Sequence, residues 1–338
     1  MYLLEELSQK YRTVSIVGMA KNAGKTTALN YLIEEAIDEG IVLGITSTGR
    51  DGENTDLVTG TDKPRVFLDA DTIVSVPEKL YELADAGLEI LRMTEYGSSL
   101  GRIMLCRVVT SGYVQVAGPV INASHAKMCD EMFEYGAELV LIDGAIDRKS
   151  IAAPETSDAI ILSTGAVLSR SMKKVIEETA HTVGLYRLPV MEDGEDRRLI
   201  LENLSKEQLM MIGGQDARLL DRKTGLGAGK YLDGEIDEDT RYIFVPGAFT
   251  QSVIADINPA RLRQVTFVLK DPTRIFIDSV SWSQLRKKGL KVEVLAAIEV
   301  AAITVNPSAP GGYAFDHEEL LRGMQDAIPD IPVIDVML

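Results

Sequence analysis

Thr13-Val14-Ser15-Ile16-Val17-Gly18-Met19-Ala20-Lys21-Asn22-Ala23-Gly24-Lys25-Thr26-Thr27 is the stretch that decides how this chain reads. An apolar run, 13–17, enters a glycine-containing loop that closes on Gly24-Lys25-Thr26, and a helix-forming stretch, 26–36, follows. Strand, loop and helix in this order are the layout of a phosphate-binding P-loop. Loop amides and a helix N-terminus present N–H groups and the positive end of a dipole to an anion. Lys25 adds a full positive charge at the β/γ-phosphates, and Thr26 adds a hydroxyl for Mg²⁺. The candidate contact residues are Gly18, Asn22, Ala23, Gly24, Lys25, Thr26 and Thr27.

The spacing departs from the usual pattern. Four residues between the first glycine and Gly24 would place that glycine at position 19. Position 19 is Met19, and Gly18 comes one residue early. The variant that opens with a second lysine would need it at position 20, where this chain has Ala20, with Lys21 one residue late. Either the loop is one residue longer than usual or its first turn accepts a side chain. The competing reading is a strand, turn and helix whose Gly-Lys-Thr is incidental. The apolar run before and the helical stretch after favour phosphate binding.

Working outward, the N-terminal half alternates short apolar runs with helical stretches, which predicts a mostly parallel, doubly wound sheet covered by helices. Strands are expected at 13–17, 41–46, 139–143, 159–163 and near 185–190. Runs at 102–109 and 113–117, separated by Thr110-Ser111-Gly112, read as a β-hairpin. Leu83, Ala84, Leu88 and Leu91 give 81–91 a helical look. Residues about 60–122 are therefore expected to be an insertion. The polar stretch after Met191 suggests a boundary near 195, with 1–195 as a P-loop domain and 196–338 as a second, smaller α/β domain. Its strands are expected at 242–245, 265–269, 292–297, 301–305 and 333–336.

A phosphate site that hydrolyses needs metal placement and a positioned water as well. Asp143 ends an apolar strand followed by Gly144, where a carboxylate reaches Mg²⁺ directly or through water. The alternative is a carboxylate that caps the next turn. Thr26 and Asp143 are thus the metal candidates, and Lys25, Asp143 and Asp51 the catalytic ones. Ligands of doubly wound sheets sit beyond the carboxyl ends of strands, which brings in the loop after the second strand. There Thr48 or Asp51 is a metal candidate and Arg50 a phosphate candidate, while Asp51 and Glu53 also read as plain turn residues. Asp147 positions water, meets a partner, or is a solvated loop charge.

Other features carry less chemistry. Thr224-Gly225-Leu226-Gly227-Ala228-Gly229-Lys230-Tyr231 has glycines and a lysine, but Tyr231 stands where a hydroxyl-bearing Ser or Thr is needed. No apolar run precedes it, and it reads as a flexible loop. Residues 306–313, rich in Pro and Gly, precede Asp316, a predicted helix N-cap. They read as a plain connection in preference to a binding loop on a rigid scaffold, with Tyr313 and Phe315 as a contact surface for a partner in the latter case. The two cysteines, Cys106 and Cys129, are too far apart for a metal pair and read as packing residues. The three histidines are isolated as well.

Composition bounds the rest. With 338 residues the chain suggests two domains. Its net charge of -16 repels phosphate backbones and disfavours nucleic acid as a partner. No apolar run is long enough for a membrane span, and the N-terminus lacks the basic and apolar parts of a signal. The expectation is a cytoplasmic protein with no membrane partner.

The loop phrase from Gly18 to Thr27, with 44–53, 112–119 and 141–145, resembles the smaller subunit of the lysine 5,6-aminomutase or ornithine 4,5-aminomutase reactivase. The similarity extends over most of the chain, and Ala20-Lys21-Asn22-Ala23-Gly24-Lys25-Thr26 is its most specific part. The resemblance makes the shifted glycine a family trait. It implies an ATP-driven protein of amino-acid fermentation that restores an adenosylcobalamin- and pyridoxal-phosphate-dependent aminomutase after cofactor damage. It also implies a larger partner ATPase subunit that resembles a mismatch-repair ATPase. The residues themselves leave three alternatives. One is a P-loop kinase or ATP-dependent ligase of cofactor biosynthesis, with Asp51, Lys127 or Arg148 near the γ-phosphate. Another is a GTP-binding accessory protein, although no Asn-Lys-x-Asp signature is present. The last is a carrier that holds nucleotide without turnover. ATP with Mg²⁺ is preferred over GTP.

Overall fold

The computed structural model describes residues 3–48, 65–98, 100–119, 122–144, 157–214 and 216–337. The chain forms two compact units, Met1–Thr179 with Glu299–Leu338, and Ala180–Ile298. The first unit carries β1 (Thr13–Gly18), β2 (Leu43–Ser47), β3 (Val66–Leu68), β4 (Ile73–Pro77), β5 (Gly87–Ser98), β6 (Gly101–Thr110), β7 (Gly112–Val114), β8 (Leu139–Asp143) and β9 (Ala159–Gly165). The second carries β10 (Met210–Gly213), β11 (Asp216–Leu219), β12 (Thr240–Val245), β13 (Thr266–Leu269) and β14 (Lys291–Val294). The chain then returns to the first unit as β15 (Val300–Asn306) and β16 (Val333–Asp335).

The first unit is an α/β structure on a nine-stranded sheet ordered β16-β15-β9-β1-β8-β2-β4-β6-β5. From β16 through β4 the neighbours are parallel, and β6 and β5 add antiparallel pairs at one edge. The parallel centre follows from composition. Val14, Ile16, Leu139, Val140, Leu141 and Ile142 are all buried, as strands covered on both faces must be. At the edge, β5 exposes Glu89, Arg92 and Glu95, charges that discourage further strand pairing.

The helix after β1, Lys25–Glu39, buries Ala28, Leu29, Leu32, Ile33 and Ala36, one stripe at helical spacing. Gly40, at φ 69°, ends it and donates to the Ala36 and Ile37 carbonyls. The N-terminal helix, Leu3–Lys10, buries Leu3, Leu4 and Leu7. It is tied to the neighbouring helix by the Leu4 N–H, which donates to Glu35 Oε2 at 2.9 Å.

The second unit holds a separate five-stranded sheet ordered β11-β10-β12-β13-β14, with β12, β13 and β14 parallel. Phe244, Phe249 and Phe267 fill its core.

Several local expectations need correction. The C-terminal domain does not run from 196 to the end. Residues 299–338 rejoin the first sheet because β15 pairs with β9. Thr110-Ser111-Gly112 is not a hairpin turn. β6 pairs with β4 and β5, while β7 leaves to pair with β3 in a two-stranded sheet. The hairpin is β5–β6, closing at Ser98 and Gly101.

Residues 81–91 are not a helix. The helix Glu78–Tyr81 stops, and β5 starts at Gly87, because cross-strand pairing outweighs the i, i+4 spacing of the leucines. The strand near 185–190 is instead the end of the helix Met172–Tyr186. Only Val190 makes a bridge, to Val294. The segment 224–231 does not stay a loop, since the helix Gly229–Glu235 begins within it and buries Leu232. Among the described residues, no helix is long and apolar enough to cross a membrane.

Candidate functional site

Strand β1 ends at Gly18, and the helix begins at Lys25. The intervening loop is tied down at both ends. The Met19 N–H donates to the Ser163 carbonyl at 2.9 Å, and the Ala23 N–H donates to Ala20 at 3.3 Å. Asn22 and Gly24 take left-handed conformations, with φ 64° and φ 100°. Gly24 is the N-cap of the helix and offers no side chain to its first turn, which also lacks acidic residues. The positive end of this helix therefore carries no carboxylate from its own first turn. Thr26 is exposed at that end and Thr27 half-buried.

Lys25 does not extend into solvent. Its stem crosses Gly18, where an added Cβ would come within 3.0 Å of Lys25 Cγ, so the early glycine makes room for the lysine. Its ammonium donates to the Gly144 carbonyl and lies 4.0 Å from Asp143 Oδ1. The lysine side chain is 13% exposed and the aspartate 33%.

Asp143 is set by the sheet. It is in register with Ile16 of β1 and with Ser47 of β2, which puts three strand ends side by side. The Thr48 N–H donates to the Asp143 carbonyl at 3.0 Å. The carboxyl ends of β1, β8 and β2 thus converge on one helix N-terminus, the place where open α/β sheets hold ligands.

The oxygen donors at this edge, the Thr26 hydroxyl and the Asp143 carboxylate, are hard ligands. This set suits Mg²⁺, which keeps waters and takes phosphate oxygens. Among the described residues, no three His, Cys, Asp or Glu side chains cluster as a metal site.

Gly18, Asn22, Ala23, Gly24, Lys25, Thr26, Thr27 and Asp143 therefore fall at one end of the β1–β8 pair. Thr48, another candidate, is buried beside Asp143. Asp51, Arg50, Glu53, Asp147 and Arg148 lie outside the described residues. Lys127 is exposed on the helix Asn122–Glu134. The cysteines behave as packing residues, since burial pushes both thiols up to about 12.

Two residues at this edge escaped the sequence reading. Asn306, at the end of β15, packs against Gly24, where an added Cβ would lie 3.1 Å from Asn306 Cβ. Its signal was the step from an apolar run to Asn-Pro. His125 is 1% exposed, and neither ring nitrogen has a hydrogen-bond partner among the described residues. A lone histidine in a helical stretch gave no sign of that.

Scans of protein-family models, of curated proteins and of solved structures find no match to this chain.

Proposed function

We propose that the first unit binds a Mg²⁺-nucleoside triphosphate, ATP in preference to GTP, over the loop 19–24 and hydrolyses it. The observation that carries this reading is the placement of Lys25. It leaves the first turn of a helix that no acidic residue caps and reaches the ends of β8 and its Asp143. In this reading the loop amides and Lys25 hold the β- and γ-phosphates, and Thr26 and Asp143 hold the metal. Bound Mg²⁺ neutralises charge on the phosphate oxygens. Water attacks the γ-phosphorus, the bond to the β–γ bridging oxygen breaks, and nucleoside diphosphate and inorganic phosphate leave. Lys25 must exchange the Gly144 carbonyl for phosphate oxygen, which couples ligand arrival to the end of β8.

The resemblance extends the proposal to a coupled function. Hydrolysis would drive reactivation of an adenosylcobalamin-dependent aminomutase, together with a larger ATPase subunit, in the cytoplasm. The test is Mg²⁺-dependent ATP and GTP hydrolysis by wild type and Lys25→Ala, with and without the holo-aminomutase and the larger subunit. Stimulation that needs both the proteins and Lys25 supports the coupled function. Turnover that needs only a small molecule as acceptor points to a kinase or ligase. Absence of nucleotide binding overturns the reading.

A further inference from the structure

We propose that the far end of the helix Lys25–Glu39 carries a docking groove for a basic, amphipathic segment of a partner protein. One large apolar side chain of that segment enters the groove, and its lysines or arginines face an acidic rim. Ile37 stands about 18 Å along the helix from Lys25, so the groove is open to a partner with or without a bound nucleotide.

The groove is lined by Ile33, Ile37, Ile41 and Val42 on one side and by residues 69–72 on the other. Its volume is about 160 Å³. An apolar cavity of about that size admits a benzene ring. Ile33 packs into the core, whereas Ile37, one turn on, is 47% exposed. The apolar surface continues past Asp69, which borders the groove and bonds to Ser111. There Phe67 of β3 and Tyr113 of β7 face each other across the two strands, with ring centres 5.4 Å apart and both rings exposed. A contiguous apolar surface rimmed by polar groups is the mark of an interaction site.

The rim selects the occupant. Glu34, Asp38 and Glu39 are exposed at the end of the helix, and Asp71 is exposed on the facing loop. The last turn of the helix holds no basic residue. Carboxylates there meet the negative end of the helix dipole. Glu34 and Asp38, one turn apart, also repel each other. The helix is less stable for both. Arg107 lies 3.9 Å from Asp71, and Arg65 lies 3.0 Å from Asp85, so each of these cations already faces a carboxylate. A cationic segment relieves the remaining excess, and potentials of opposite sign guide it to this face. The occupant is a different protein, because two copies of a chain at net charge -16 repel each other.

The experiment is fluorescence anisotropy of three labelled synthetic peptides with the full chain. The first peptide places leucine and lysine on opposite faces of a helix. The second keeps the lysines and has glutamine for leucine. The third keeps the leucines and has glutamate for lysine. The first should bind wild type at least about tenfold tighter than the second, the weight of one buried aliphatic side chain. The third should show no measurable binding. Ile37→Ser should remove most of the margin between the first two. Asp38→Lys with Glu39→Lys should weaken the first peptide about tenfold or more, with a melting temperature no lower than wild type, since lysine suits a helix C-terminus. A control pair of equal charge, Glu319→Lys with Asp326→Lys on the exposed face of the helix His317–Ala327, should cost less than about twofold. An equal loss in the control pair, or equal binding of the first two peptides, reduces the effect to net charge and overturns the groove. Absence of binding by the first peptide overturns it as well. Self-association of wild type that Ile37→Ser abolishes, read by sedimentation, replaces the partner protein with a second copy and overturns the assignment.

Discussion

Lys25 Nζ stands 4.0 Å from Asp143 Oδ1, across the carboxyl ends of two adjacent parallel strands. The pair joins the loop 19–24 to the strand that carries the metal candidate. Lys25→Ala removes the only full charge in the first turn of the helix. The expected loss in Mg-ATP turnover is about a hundredfold or more, as for removal of other preorganised charge-stabilising donors. Asp143→Asn should keep nucleotide affinity closer to wild type and raise the Mg²⁺ concentration needed for half-maximal rate. Phosphate release against a Mg²⁺ titration separates the two variants.

Gly24→Ala tests the backbone of the loop. At φ 100° an alanine is strained, and its methyl group would come within 3.1 Å of Asn306 Cβ. The left-handed conformation costs roughly 1–2 kcal/mol for a residue with a Cβ. Thermal melting should show that loss, together with weaker nucleotide binding. Asn22→Gly, at φ 64°, should leave stability near wild type because glycine adopts that conformation freely.

Glu35→Ala should release the N-terminal helix. The Glu35 carboxylate is 6% exposed and accepts the Leu4 N–H, a backbone donor with no water to replace its partner. An unsatisfied buried donor costs about 1–3 kcal/mol. Hydrogen exchange should report lost protection in Leu3–Lys10 first, and Glu35→Gln, which keeps an acceptor, should recover most of it.

His125 predicts a pH dependence. Burial pushes its pKa down to about 4. The unfolded imidazole titrates near 6.5. Between those values the unfolded chain binds a proton that the folded one refuses. The histidine's contribution is therefore fully present above about pH 6.5 and is lost as the pH falls toward 4, a change on the order of 2–3 kcal/mol. Denaturant melts of wild type and His125→Leu from pH 7.5 to 4 should show a shallower acid limb in the variant. Identical slopes would refute the assignment.

The centre of the first unit was legible because its strands are short, mostly apolar and bounded by polar turns. Residues 13–17 and 139–143 read directly as β1 and β8, and the loop between Gly18 and Lys25 follows from its glycines. The edge was not legible. Leu83, Ala84, Leu88 and Leu91 fit helical spacing, and only pairing with β6 makes 87–98 a strand. Asn306 was missed for a related reason. It reaches Gly24 because β15 pairs with β9, a contact between distant stretches marked by the bond from Thr304 Oγ1 to Ser163 Oγ. Local periodicity carries no record of such neighbours.

The return of the chain as β15 and β16 sets an order of birth. Every residue of the second unit is translated between β9 and the strand that flanks it. The second unit is a continuous segment, free to fold as it emerges from the ribosome, whereas the first must keep one side of β9 uncovered until the final strands arrive. The nascent chain thus passes through a stage with a bare, apolar strand edge, the kind of surface that chaperones hold and aggregates exploit. A stalled or truncated product ending before residue 300 would remain in that stage.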